Sequence, residues 1–212
     1  MLPTRIPSAP AQPPASRLFV ALWPGERTRA RLAAWGERTL WPPGARPIAP
    51  GRLHVTLHFI GAYPTAELDA LRAALPPAAR AFELAFDRLQ LWRGGLLVLC
   101  PAEVPEPLRA LHGQLAQALR ERGIPVESRP LRPHVTLARH WPPGQPPPAP
   151  PPALRWPVRG HVLVQSMPDG HYRLLQRYPA GVCTTPRAHI ARNTSFATLL
   201  VVPRGRLSTK TT

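Results

Sequence analysis

The sequence predicts an α+β fold of two similar lobes, each a mostly antiparallel sheet with helices on its outer side, and an active-site cleft between them. Three observations predict it. Short runs of period-two apolar alternation are interleaved with runs of helical spacing across residues 17–180. The order of elements in the first half recurs in the second. The tetrapeptide His-Val-Thr-Leu occurs once in each half, at residues 54–57 and 134–137.

Residues 17–23, RLFVALW, are continuously apolar after the arginine and stop at Pro24-Gly25, which reads as a buried strand and a turn. Residues 26–40 place Ala30, Ala33, Ala34 and Trp35 among arginines as a helix, ended by Trp41-Pro42-Pro43-Gly44. Across the first tetrapeptide, Leu53, Val55, Leu57 and Phe59 alternate with His54, Thr56 and His58, the pattern of a half-buried strand with a polar face. Leu68, Leu71 and Leu75 support a helix over residues 65–75, which Pro76-Pro77 terminates. Residues 82–92 and 96–100 flank Arg93-Gly94-Gly95 as a β-hairpin. Val104, Leu108, Leu111, Leu115 and Leu119 form the stripe of an amphipathic helix closed by Gly123.

The second tetrapeptide strand covers residues 134–139 and is followed by a proline-dominated loop over 141–152. Leu154, Trp156, Val158, Val162 and Val164 then keep even-position alternation, and residues 171–178 supply a last strand after the Pro168-Asp169-Gly170 turn. Residues 1–16 read as a disordered Pro/Ala-rich leader with no apolar core of a secretory signal. Residues 181–212 have no acidic side chain and five basic ones, and read as a poorly ordered tail in which 197–202 could add one strand.

The formal net charge is +16, and all the basic residues but Lys210 are arginines. Arginine's planar fork of donors suits phosphate, so nucleic acid is the partner this charge favours, although a general arginine bias gives the same count. Cys100 and Cys183 lie far apart with no metal or redox spacing, which fits a reducing cytoplasm. No apolar stretch reaches the roughly 20 residues needed to cross a bilayer. No feature requires an obligate protein partner, and a monomer is expected. Phosphate-loop, nucleophile-elbow and dinucleotide-binding signatures are all absent from the sequence.

On a strand, residues i and i+2 share a face, so each tetrapeptide presents its histidine and threonine together. Two such faces on one cleft make a proton donor and a proton acceptor, with hydroxyl donors for phosphate oxygens. A single copy is more often an ordinary strand; two copies on alternating strands point to catalysis. The rival is metal binding by His54, His58, His134 and His140, but neither segment carries a carboxylate or thiolate to complete a site. The sequence therefore predicts metal-free chemistry without a cofactor. His58, His112, His140, His161, His171 and His189 default to surface or loop roles.

At these residues the chain resembles the two-histidine phosphoesterase superfamily, whose mark is a pair of His-x-Thr-x elements, and within it the RNA 2′,3′-cyclic phosphodiesterases, also called 2′-5′ RNA ligase-like proteins. The resemblance runs through RLFVAL at residues 17–22, LHVTLHFIG at 53–61 and RPHVTLAR at 132–139. It implies hydrolysis of an RNA 2′,3′-cyclic phosphate end to a 2′-phosphate, with weak 2′-5′ ligation in reverse. It also implies that His54 donates a proton to the 3′-oxygen, that His134 accepts one from water, and that Thr56, Thr136 and Arg139 bind substrate. A regular strand sets Arg139 beside Val135 and Leu137, away from His134, so the strand bulges or ends there, or Arg139 reaches in from the rim. The alternatives are a noncatalytic module that binds RNA ends and a phosphodiesterase acting on a small cyclic nucleotide or a 2′-5′ oligonucleotide.

Overall fold

A computed structural model describes residues 14–151 and 153–181 of the chain. The strands are β1 (Ala15–Leu22), β2 (Arg46–Pro47), β3 (Val55–Pro64), β4 (Phe82–Trp92), β5 (Leu96–Pro101), β6 (Val135–Arg139), β7 (Leu154–Val158), β8 (Gly160–Ser166) and β9 (Tyr172–Pro179). The helices are α1 (Glu26–Arg38), α2 (Leu68–Ala74) and α3 (Glu106–Glu121), with short 3-10 turns at Pro50–Arg52 and Thr65–Glu67. Every predicted helix and strand within 17–180 has a counterpart. β1 opens two residues earlier than expected because Ser16 is held inside the fold, its Oγ bonded to Thr65 Oγ1 at 3.2 Å and receiving Gln165 Nε2 at 3.1 Å. The expected leader up to residue 13 and the tail from 182, with its possible strand at 197–202, lie outside the described residues.

All strand pairs are antiparallel, in the order β7-β4-β5-β6-β3-β1-β8-β9, with β2 added to β6. The two halves of this sheet, β7-β4-β5-β6 and β3-β1-β8-β9, meet at β6 and β3 through one register pair, Val55 with Val135. β7 ends at Val158 and β8 begins at Gly160, yet they lie near opposite ends of that order. Two residues of chain span only about 7 Å. The sheet is therefore rolled, and the even-position alternation that ran through 154–164 crosses from one half to the other at Gly160. Backbone bonds pin the crossing: Ala180 N–H donates to the Arg159 carbonyl at 2.8 Å and Gly181 N–H to that of Ala78 at 2.9 Å.

The helices brace the two halves. α1 buries Thr28, Leu32 and Trp35 and packs on β7; α3 buries Leu108, Leu111, Leu115, Ala116 and Leu119 and packs on β3. Each of those fully buried leucines contributes about 1.5–3 kcal/mol of apolar burial. α3 closes as its stripe predicts, with Gly123 N–H donating to Arg120 at 2.8 Å and Ile124 N–H to Leu119 at 3.0 Å. A second, smaller apolar cluster of Phe19, Ala21, Val162 and Val164 lies on the other face of β1 and β8, under Trp23 and Tyr172. β1 is thus covered on both faces, which accounts for its unbroken apolar run.

Two histidines expected at the surface, His58 and His161, are inside. His161 is 1% exposed, stacked on Tyr178 with ring centroids 4.7 Å apart, and neither ring nitrogen has a partner. Burial pushes its pKa down to about 4, so it is neutral at working pH. His58 is 4% exposed and stacks on His112 at 4.0 Å, with its Nε2 held at 2.9 Å by the His112 carbonyl. The burial of His58 follows from a break in strand periodicity that also shapes the functional site.

Candidate active site

The site starts from the repeat. Val55 pairs with Val135 in antiparallel register, so continuing one residue either way sets His54 opposite Thr136 and Thr56 opposite His134. Cross-strand neighbours have Cβ atoms about 4.5–5.5 Å apart and share a face. The two histidines and two threonines therefore form one quartet with pseudo-twofold symmetry at the seam between the halves. The charge of His134 acts on His54 across this gap, as one of the causes that lower the His54 pKa after burial.

Each strand then carries a bulge at the leucine of the tetrapeptide. Against β1, His58 pairs with Val20 and Thr56 with Ala21, leaving Leu57 without a partner. Against β5, Ala138 pairs with Leu97 and Thr136 with Val98, leaving Leu137 without one. One extra residue shifts the alternation by one position. His58 and Ala138 turn inward, while Phe59 and Arg139 come out on the face of the histidines. One expectation changes: Phe59, assigned to the buried face, is 61% exposed. Of the alternatives left open for Arg139, the strand takes the bulge.

Each histidine ring is oriented by its own backbone. His54 Nδ1 lies 2.6 Å from the carbonyl of Arg52, and His134 Nδ1 lies 2.8 Å from that of Arg132. A carbonyl only accepts, so Nδ1 carries the hydrogen in both rings and Nε2, at the far end of the ring, is free for chemistry. His54 packs against Phe19, Trp23 and Tyr172 at 5.0, 5.7 and 5.4 Å; His134 packs against Trp92 at 4.4 Å. Arg52 sits over the same Tyr172 ring at 4.9 Å, and Arg132 over the same Trp92 ring at 4.6 Å. Each half thus repeats one unit: an arginine and a histidine two residues apart, both against one aromatic ring.

Burial is the largest cause holding His54 below its ordinary 6.5, joined by the charges of His134, Arg52 and Arg139, while its bond to the Arg52 carbonyl pulls upward. His134 is held below 6.5 by burial first and by Arg132, against the upward pull of the Arg132 carbonyl. A cavity of about 470 Å³ opens beside His134 and Thr56, walled by Phe59, Trp92, His112, Glu127 and Arg132 among others. A larger one of about 660 Å³ lies between the β4–β5 turn and the proline loop; among the described residues His140 is its one titratable lining residue, and no member of the quartet lines it. Of the histidines considered above as metal ligands, His58 lines the smaller cavity with its Nε2 held by the His112 carbonyl, and His140 lines the larger one.

The sequence reading placed His54, His134, Thr56, Thr136 and Arg139, and the structure brings all five to one face. It missed Arg52, Arg132, Trp23, Trp92 and Tyr172. For the arginines a signal was present: the repeat extends to Arg-x-His-Val-Thr-Leu in both copies, at 52–57 and 132–137.

Comparison with known proteins gives the family. The family model described as 2'-5' RNA ligase superfamily matches residues 28–162. A Thermus thermophilus protein named RNA 2',3'-cyclic phosphodiesterase is 33% identical over 178 residues, covering 76% of this chain and 89% of its own. An Escherichia coli protein of the same name is 30% identical over 126 residues, covering 58% and 71%. Among solved structures, E. coli LigT complexed with 3'-AMP superposes with a TM-score of 0.68 at 27% identity, covering 79% of this chain and 99% of that one. A mostly antiparallel rolled sheet, a doubled Arg-x-His-Val-Thr-Leu on facing strands, and a family match over more than half the chain agree: this chain belongs to the 2'-5' RNA ligase superfamily.

Proposed function

We propose that this protein hydrolyses RNA ends bearing a 2′,3′-cyclic phosphate to a 2′-phosphate and a free 3′-hydroxyl, by acid–base catalysis with two histidines. The observation that carries the reading is the quartet at the Val55–Val135 seam, with both Nδ1 atoms committed to carbonyls and both Nε2 atoms free. Neutral His134 takes a proton from water through Nε2 as the water oxygen bonds to phosphorus. Protonated His54 gives its Nε2 proton to the 3′-oxygen as the P–O3′ bond breaks. Thr56 and Thr136 donate to the non-bridging oxygens, and Arg139 adds a fixed positive charge on the His54 side. Burial first, and the cations around His54 after it, lower its pKa, which makes its imidazolium the stronger acid and suits it to the leaving oxygen. With a 5′-hydroxyl in place of water, the same steps in the same direction join ends through a 2′-5′ linkage: the 5′-oxygen bonds to phosphorus, His134 takes its proton, and His54 protonates the departing 3′-oxygen. Exposed Phe59 offers a ring face for the terminal base.

The direct test incubates the protein with a short RNA ending in a 2′,3′-cyclic phosphate in chelator and follows the products by phosphorus NMR. A 2′-phosphate is expected. An unchanged substrate that nevertheless binds marks a noncatalytic end-binding module, and a 3′-phosphate product excludes the proton assignments above.

The pH dependence follows from the site. In the free enzyme one histidine must be protonated and the other neutral, and both are held below 6.5. Above 6.5 the donor is scarce; well below it the acceptor is lost. kcat/KM should therefore trace a bell whose maximum lies on the acid side of 6.5. A bound phosphate anion raises both histidines, so the kcat bell should lie at higher pH than the kcat/KM bell. A kcat/KM maximum above pH 7.5 would contradict the observed burial and arginine surroundings.

A further inference from the structure

The quartet is symmetric but its two ends are not. After the bulges, β3 puts Phe59 at the His134 end, beside the cavity, whereas β6 puts Arg139 at the His54 end. At that end β2 adds to β6, on the edge opposite β5, where β3 has turned away. Its register sets Arg46 directly across from Arg139, and Pro47 across from Ala138. Ile48 N–H, bonded to the Leu137 carbonyl at 2.8 Å, fixes the segment. Directly opposed residues on paired strands project to one face, so both side chains leave the backbone toward the face of the histidines, where the Arg139 charge acts on His54. Both arginines are exposed, and neither forms an ion pair among the described residues. Arg52, on the same side of His54, has a buried Nε that also lacks a partner.

Two like charges in direct cross-strand opposition repel, and they are stabilised when an anion lies between them. We propose that Arg46 and Arg139 form a second phosphate subsite. It receives the phosphodiester that precedes the terminal nucleotide of an RNA substrate. The inference rests on the reading of the quartet as the cyclic-phosphate site. It gives the substrate a direction: terminal base toward Phe59 and the cavity, cyclic phosphate in the quartet, preceding phosphate on the two arginines. The protein then prefers an RNA end to a free cyclic mononucleotide.

The test compares kcat/KM on three substrates: a nucleoside 2′,3′-cyclic phosphate, a dinucleotide with the same cyclic end, and that dinucleotide with a neutral methylphosphonate linkage. The wild type should favour the charged dinucleotide at least tenfold over the other two. Arg46→Gln should shrink that preference toward one by lowering the charged dinucleotide's value most. Arg46→Lys, which keeps a charge but loses the fork, should restore part of it. Equal values on all three substrates for the wild type, or an equal loss on all three in Arg46→Gln, would overturn the subsite while leaving the quartet's activity standing. No turnover of any of them by the wild type would remove the underlying activity and the subsite together.

Discussion

Replacing His54 or His134 with alanine is expected to lower kcat/KM on a cyclic-phosphate RNA end by about 10²–10⁴. The double replacement should be barely slower than the worse single one. The two imidazoles act on one phosphorus in one displacement, so either loss already removes most of what the pair does, and the effects do not multiply. His54 is also a packing element, against Phe19, Trp23 and Tyr172, so the alanine variant opens a space among rings. His54→Gln and His134→Gln keep more of the volume without a proton to exchange near neutral pH. They should be as inactive as the alanine variants while still binding a nucleoside 2′-phosphate by calorimetry. Wild-type kcat/KM in any single variant, or a double loss equal to the product of the single losses, rules out the concerted pair.

Gly160→Ala is expected to cost about 3–5 kcal/mol of stability, read as a lower urea midpoint at unchanged m. Gly160 has φ of +143°, a region that side chains strongly disfavour, and a Cβ there would meet the Tyr178 carbonyl oxygen at 2.1 Å and Pro179 Cα at 2.9 Å. Those atoms are backbone of the paired strand β9, with Gly160 facing Pro179 in register, and have no rotamer to adopt. Strain of this size is large for one methyl group. It falls where the chain crosses between the halves of the sheet, so relief by local movement would loosen the crossing. A variant within about 1 kcal/mol of wild type would show that β8 and β9 separate there at little cost.

Local patterning carried much of the secondary structure. The hairpin β4–β5 announced itself through Arg93-Gly94-Gly95 between two apolar strands, and α3 through leucines spaced three and four apart. The catalytic candidates were readable for the same reason, since strand alternation puts a histidine and a threonine two residues apart on one face. Alternation failed at Leu57 and Leu137, because a bulge adds one unpaired residue without any local mark in composition. The shift in β3 buried His58 and exposed Phe59, and the one in β6 turned Arg139 toward the site.

The rings that seat the histidines could not be read locally either. Tyr172 reaches His54 across 118 positions of sequence and Trp92 reaches His134 across 42, distances over which no periodicity operates. His161, which in isolation reads as a polar surface residue, is buried because β9 lays Tyr178 over it.

Residue types and their spacing alone settled the α+β class and the order of elements, and singled out the two histidines and the two threonines as candidates, since each depends on contacts within a few residues. Which strand lies beside which was settled only by the assembled sheet. The Val55–Val135 pairing turns two separate motifs into one quartet, and β2 beside β6 opposes Arg46 to Arg139. Pairing joins segments remote in sequence and is chosen by the packing of the whole core, so a four-residue word can specify its own face but not what that face meets.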